Sequence, residues 1–143
     1  MKNLIILFLA ISSLSCVKKV EKIKTPTFVF NYQDAKSNYT LRYIGKDSLY
    51  LNDLKTNKNY GTSINSVLGN EVSRTINKID KPEYADAYQS KPGSDITFKI
   101  LILNARLSPE PAAKNKNAEK DVYEAAKKLN ALKNELNFVP SKK

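Results

Sequence analysis

Histidine and tryptophan are absent, cysteine occurs once, glycine four times, and only Arg42, Arg74 and Arg106 among the 24 basic residues are arginine. Each scarcity excludes something. Without histidine the chain lacks the commonest general base near neutral pH and the commonest metal ligand. One cysteine and no histidine rule out a Cys/His zinc site within one chain, and a lone cysteine rules out an intramolecular disulfide. The four glycines lie far apart, so neither GxGxxG nor GxxxxGK[ST] can be assembled, and no cofactor is expected. The shortage of arginine removes the side chain best suited to bidentate phosphate recognition.

What the chain does have is enough for one domain. Its 143 residues are 41% hydrophobic, sufficient for a real core and too apolar for wholesale disorder. The formal charge of +10 suits an anionic partner. It equally suits the lysine- and asparagine-rich composition that AT-rich coding favours without any binding purpose, and that compositional reading is preferred here.

The N-terminus is the most specific stretch. Lys2 supplies a positive start, Leu4 to Ile11 is an unbroken apolar run, and Ser12, Ser13, Leu14 and Ser15 lead to Cys16, with Lys18 and Lys19 just beyond. A positive n-region, a short apolar core and small residues before a cleavage point mark a secretory signal. The run is too short to span a bilayer, which needs about 20 apolar residues. Residues 1–16 resemble a bacterial lipoprotein precursor, in which a lipobox precedes the cysteine that receives a diacylglycerol. The resemblance implies cleavage after Ser15, lipid on the Cys16 thiol and an acylated, palmitate-type amine at the new terminus. Ser13 and Leu14 stand exchanged relative to the usual leucine at −3 and small residue at −2. Because Val17 and a lysine follow Cys16, rather than aspartate, the resemblance implies an outer-membrane anchor facing the periplasm.

The expected organisation is therefore a signal peptide over 1–15, a lysine-rich tether over 16–26, one domain over 27–138 and a frayed tail over 139–143. Residues 27–32, 39–44 and 48–53 alternate apolar and polar side chains and are expected as strands, the last two joined by a tight turn at Gly45. Residues 55–61, "KTNKNYG", are expected as a polar loop. In 63–79, Ile64, Leu68, Val72, Ile76 and Ile79 share one helical face, although Gly69-Asn70 leaves a two-strand hairpin open. Residues 80–95 should form a long connection with one helical turn holding Tyr84 and Tyr88. Residues 96–103 turn continuously apolar from Ile100 on, which suggests a central strand covered on both faces. A C-terminal amphipathic helix carries Val122, Ala126, Leu129, Leu132 and Leu136, with Asn117 as N-cap. The class is α+β, with a small antiparallel or mixed sheet of about four strands, a central helix and the C-terminal helix.

Little here points to chemistry. Asp47 and Asp53 do not match a calcium-loop spacing, and no metal site is expected. A carboxylate pair for envelope hydrolysis is formally available among the 14 acidic residues, without a supporting motif. Nucleic acid is not expected as a partner, because export would separate the two. The best contact surface is the long connection, with Tyr84, Tyr88 and Lys91 as binding residues and no catalytic residue assigned. The expectation is a small lipid-anchored cell-envelope protein, a non-catalytic binding or accessory module for an envelope protein or cell-wall component. An inhibitor or immunity protein against an envelope-attacking hydrolase or toxin is the first alternative, and an envelope hydrolase the second.

Overall fold

A computed structural model describes residues 24–103 and 115–141. The signal and Cys16 lie outside the described residues. The chain is α+β, as its patterning implies. Four strands follow one another, β1 (Phe28–Gln33), β2 (Asn38–Tyr43), β3 (Ser48–Asp53) and β4 (Lys58–Ser63). Helix α1 (Ser66–Ile79), a 3₁₀ helix (Pro82–Ala87), strand β5 (Thr97–Ile102), helix α2 (Ala118–Glu135) and the two-residue strand β6 (Val139–Pro140) complete it. The sheet runs β5-β1-β2-β3-β4-β6, and every neighbouring pair is antiparallel.

The turns set the register. Asp34 Oδ1 accepts from the backbone of Lys36 and Ser37 at 2.8 and 2.6 Å and closes the β1–β2 connection. Lys46 and Asp47, at φ 60° and 54°, take the left-handed conformations a tight hairpin demands, after Gly45 at φ 94°. Asp53 Oδ1 accepts from Lys55 N and Thr56 N and starts the β3–β4 turn. Because strand side chains alternate faces, this register gathers Phe28, Phe30, Tyr32, Tyr39, Leu41, Tyr43, Leu49, Leu51, Phe98, Ile100 and Ile102 onto one buried face.

Both helices contribute to the core beside that face. Residues 66–79 are helical, so the hairpin alternative falls, and Val72, Ile76 and Ile79 are buried on the expected stripe. Asn65 caps α1 by accepting from Leu68 N at 2.9 Å. Ser73, wholly buried, returns its hydroxyl to Gly69 O at 2.7 Å, which satisfies it inside the core. The α2 stripe holds at Val122, Ala126, Leu129 and Leu132, with Ala118 and Ala125 added, whereas Leu136 is the extended C-cap residue and only partly buried. Asn117 occupies the N-cap position, yet its side chain makes no capping bond; Asn115 Oδ1 instead accepts from Asn117 N at 2.9 Å.

Three expectations need correction. Residues 58–61, expected as the end of a polar loop, belong to strand β4, which pairs along all of β3. Part of the expected tail is β6, which pairs Val139 and Pro140 with Gly61 and Tyr60 and so makes the sheet six-stranded. Strand β5 is not central: it ends the sheet, and its Leu101 is exposed while Ile100 is buried. Its outer edge is met instead by the chain after the 3₁₀ helix. Ile100 N donates to Tyr88 O at 2.7 Å and Ser90 N to Phe98 O at 2.9 Å, which covers unpaired strand groups that would otherwise invite association.

Candidate functional site

The sheet has a second face, and neither helix covers it. It carries the other half of each strand's alternation: Val29, Asn31 and Gln33 from β1, Thr40 and Arg42 from β2, Tyr50 and Asn52 from β3, Asn59 and Gly61 from β4, Lys99 and Leu101 from β5. All of these are half-buried or exposed. Register arranges them in rows across the sheet. Leu101, Val29, Arg42, Tyr50, Gly61 and Val139 form one row, and Lys99, Asn31, Thr40, Asn52 and Asn59 the next.

A trough of about 460 Å³ lies over β2, β3 and β4. Thr40, Arg42, Tyr50, Asn52 and Asn59 line it, and Ser141 closes one side, held there by Ser141 N donating to Asn59 O at 2.9 Å. The Arg42 guanidinium sits 5.9 Å above the Tyr50 ring, a cation–π contact that lays the arginine along the surface. Thr40 Oγ1 donates to Asn31 Oδ1 at 2.8 Å across β1 and β2. Asn52 Oδ1 is buried and accepts no hydrogen bond from the described residues. A buried acceptor left unmade costs about 1–3 kcal/mol. An aromatic ring, a fixed cation, amides and a hydroxyl in one shallow concavity suit recognition of a polar partner.

Other concavities flank the sheet, among them two that combine lysines with aromatic side chains. One, of about 500 Å³, opens beyond the β1–β2 and β3–β4 turns, where Lys36, Lys55 and Lys133 surround Tyr39 and Phe138. Lys133 Nζ lies 5.1 Å from the Tyr39 ring centre, and Asp53 partly offsets the lysines. The other, of about 380 Å³, runs between Ile96, Phe98 and Tyr123 and includes Lys91.

The residues singled out from sequence are placed as follows. Tyr84 sits in the 3₁₀ helix and is only 4% exposed. Its hydroxyl donates to Asp121 Oδ2 at 3.0 Å and accepts from Asn115 Nδ2 at 3.0 Å, so it ties the connection to the start of α2. Tyr88 is half-buried and donates to Ile79 O at 2.6 Å, at the end of α1. Lys91 is exposed and pairs with Glu119 at 2.7 Å. The three are not brought together as one surface: both tyrosines have their hydroxyls engaged within the fold, and Lys91 alone reaches a groove.

Among the described residues, no titration shift marks an activated group. Burial, then the hydrogen bond to Asp34, pushes the Tyr32 hydroxyl up to about 12, and burial raises Tyr39, Tyr84 and Tyr88 too. Asp34 is lowered by the amides of Ser37 and Lys36, Asp53 by its hydrogen bond with the Thr56 side chain, and Asp121 by Lys78 and then Tyr84. All these groups keep their ordinary protonation at neutral pH. Among the described residues, no three His, Cys, Asp or Glu side chains cluster so as to hold a metal ion, and no helix is long and apolar enough to cross a membrane.

Sequence reasoning missed the trough because two of its contributors, Asn59 and Ser141, lie in segments taken for loop and tail. The outward alternation of Thr40-Arg42 and Tyr50-Asn52 was visible, but only the pairing of β2 with β3 opposes Arg42 to Tyr50. In comparison with known proteins, no protein family, curated protein or solved structure matches the chain.

Proposed function

We propose that this is a small lipid-anchored cell-envelope protein that binds another envelope component through the open face of its sheet and catalyses nothing. The anchor is lipid on Cys16, in the outer membrane facing the periplasm, and the partner is an envelope protein or cell-wall element. The observation that carries the binding role is the one-sided sheet. One face is packed as core, whereas the other leaves a trough with Arg42 set over Tyr50 and the Asn52 acceptor unmet. A sheet held rigid from behind keeps such side chains in fixed relation at small entropic cost. Anchoring would add local concentration, since a tethered domain meets membrane-bound partners at high effective molarity.

The test is affinity purification of the full lipidated chain from membranes, beside Cys16→Ser and a double variant Arg42→Glu/Tyr50→Ala. Both positions of the double variant lie outside the buried core, so it should stay folded, with a thermal midpoint lowered by only a few degrees. A partner recovered with wild type and lost with the double variant supports the reading. Undiminished recovery with the double variant contradicts it.

A further inference from the structure

The open face is not uniform along its strands. Ile102 and Tyr43 both pair with Phe28. One step further, Leu103 N donates to Thr27 O at 2.8 Å, so Leu103, Thr27 and Ile44 come level, on the face opposite Phe28. Leu101 and Val29 stand in the next row. Ile44, Leu101 and Leu103 are 52%, 41% and 46% exposed, three of the seven large exposed apolar side chains among the described residues. Two rows on, the face is Lys99, Asn31, Thr40 and Asn52, and then Thr97, Gln33 and Asn38. Apart from Val139 at the far edge, apolar character therefore collects at one corner, over β5, β1 and β2, and gives way to polar side chains about 13 Å along the strands.

That corner is where the chain arrives from its N-terminus. Asn77 Nδ2 donates to Lys24 O at 3.2 Å, and the Thr25 and Ser73 hydroxyls are bonded, so the entering segment is held against α1 just before Thr27. Eight residue steps separate Cys16 from Lys24, about 28 Å at full stretch. Exposed lysines stand near the corner residues in sequence: Lys24 three residues before Thr27 and Lys46 two after Ile44, beside the half-buried Asp47.

We propose that this corner is a bilayer-contacting surface, with Ile44, Leu101 and Leu103 in the headgroup region of an anionic membrane and Lys24 and Lys46 meeting its phosphates. The proposal rests on the lipid-anchor reading for what brings the domain to the bilayer. Exposed apolar side chains accompanied by lysines are what interfacial binding uses, and a leash this short holds them within reach. The trough over β2 to β4 stays beside the contact, turned toward partners at the same surface.

The test uses the full lipidated chain in vesicles of phosphatidylethanolamine and phosphatidylglycerol. Single cysteines, Ile44→Cys, Leu103→Cys and Lys128→Cys on exposed α2, take a fluorescent maleimide, and quenching by spin-labelled lipid is read at each. Quenching several-fold stronger at 44 and 103 than at 128 is expected. An Ile44→Ser/Leu103→Ser pair in the Cys16→Ser background should lower vesicle partitioning by roughly tenfold, the factor that about 1.4 kcal/mol represents. Equal quenching at all three positions overturns the proposal. So does protection of 44 and 103 that appears only when envelope proteins are added, which would give the corner a protein partner instead. The anchor reading fails separately, if wild-type Cys16 itself takes the maleimide; the quenching comparison then runs in the Cys16→Ser background and still decides the corner.

Discussion

Adjacent residues on β5 offer a direct measure of how differently the two faces of the sheet are treated. Ile100 is 0% exposed and Leu101 41% exposed, and their side chains point opposite ways. Replacing Ile100 with alanine removes three carbons from the packed layer and leaves a cavity, at a cost of about 2–5 kcal/mol. Fully burying a leucine is worth about 1.5–3 kcal/mol, and Leu101 is little more than half withdrawn from water, so trimming it to alanine should cost about 1 kcal/mol or less. The expected gap is about 2 kcal/mol. Urea unfolding of the lipid-free Cys16→Ser chain, followed by far-UV circular dichroism, reads this directly. With a slope near ~1.5 kcal/mol per molar, the midpoint falls by about 2 M for Ile100→Ala and by less than about 0.7 M for Leu101→Ala. Equal losses would refute the reasoning, because they require a layer covering Leu101 as well, the arrangement its apolar surroundings in sequence suggest.

Two further predictions concern side chains that join elements. Tyr39→Phe removes the hydroxyl that donates to Asn130 Oδ1 at 2.7 Å and links β2 to α2, while keeping the stacking with Tyr32 at 5.2 Å; it should cost about 1–2 kcal/mol and, in a cycle with Asn130→Ala, show non-additivity, whereas additive losses would sink the assigned bond. Asp34, Asp53 and Asp121 have folded pKa values below the ordinary carboxylate range, so their contribution is present above the unfolded value near ~3.9 and is lost as pH falls through the folded values. The urea midpoint should therefore hold from neutrality to about pH 5 and drop below about pH 4, with a shallower drop in Asp34→Asn/Asp121→Asn; an unchanged profile in that variant would assign acid sensitivity elsewhere.

The elements legible in sequence were those whose periodicity records a single buried face. Phe28-Phe30-Tyr32, Tyr39-Leu41-Tyr43 and the stripes of α1 and α2 each point one way, and the core collects them. Strand β4 carried no such record. Its Lys58, Asn59 and Gly61 are poor strand formers, and pairing with β3 supplies what propensity does not. Strand β5 misled for the opposite reason. Leu101 and Leu103 continue its apolar run although both face outward, and only the strand order shows that the run serves an edge. Tyr84 and Tyr88 stood out as tyrosines on a long connection, but a tyrosine in a sequence does not reveal that Asp121 and Ile79 O will engage its hydroxyl. Cross-strand surfaces such as the trough need register, which sequence alternation implies only within each strand.

The central claim is that the uncovered face of the sheet is the face that binds. Site-specific photo-crosslinking in intact cells tests it most directly, with the crosslinker placed at Thr40 inside the trough and, in a separate strain, at Lys128 on the exposed side of α2. The account predicts a discrete adduct with an envelope component from position 40 and none from position 128. An adduct from 128 alone, or the same adducts from both, would contradict it.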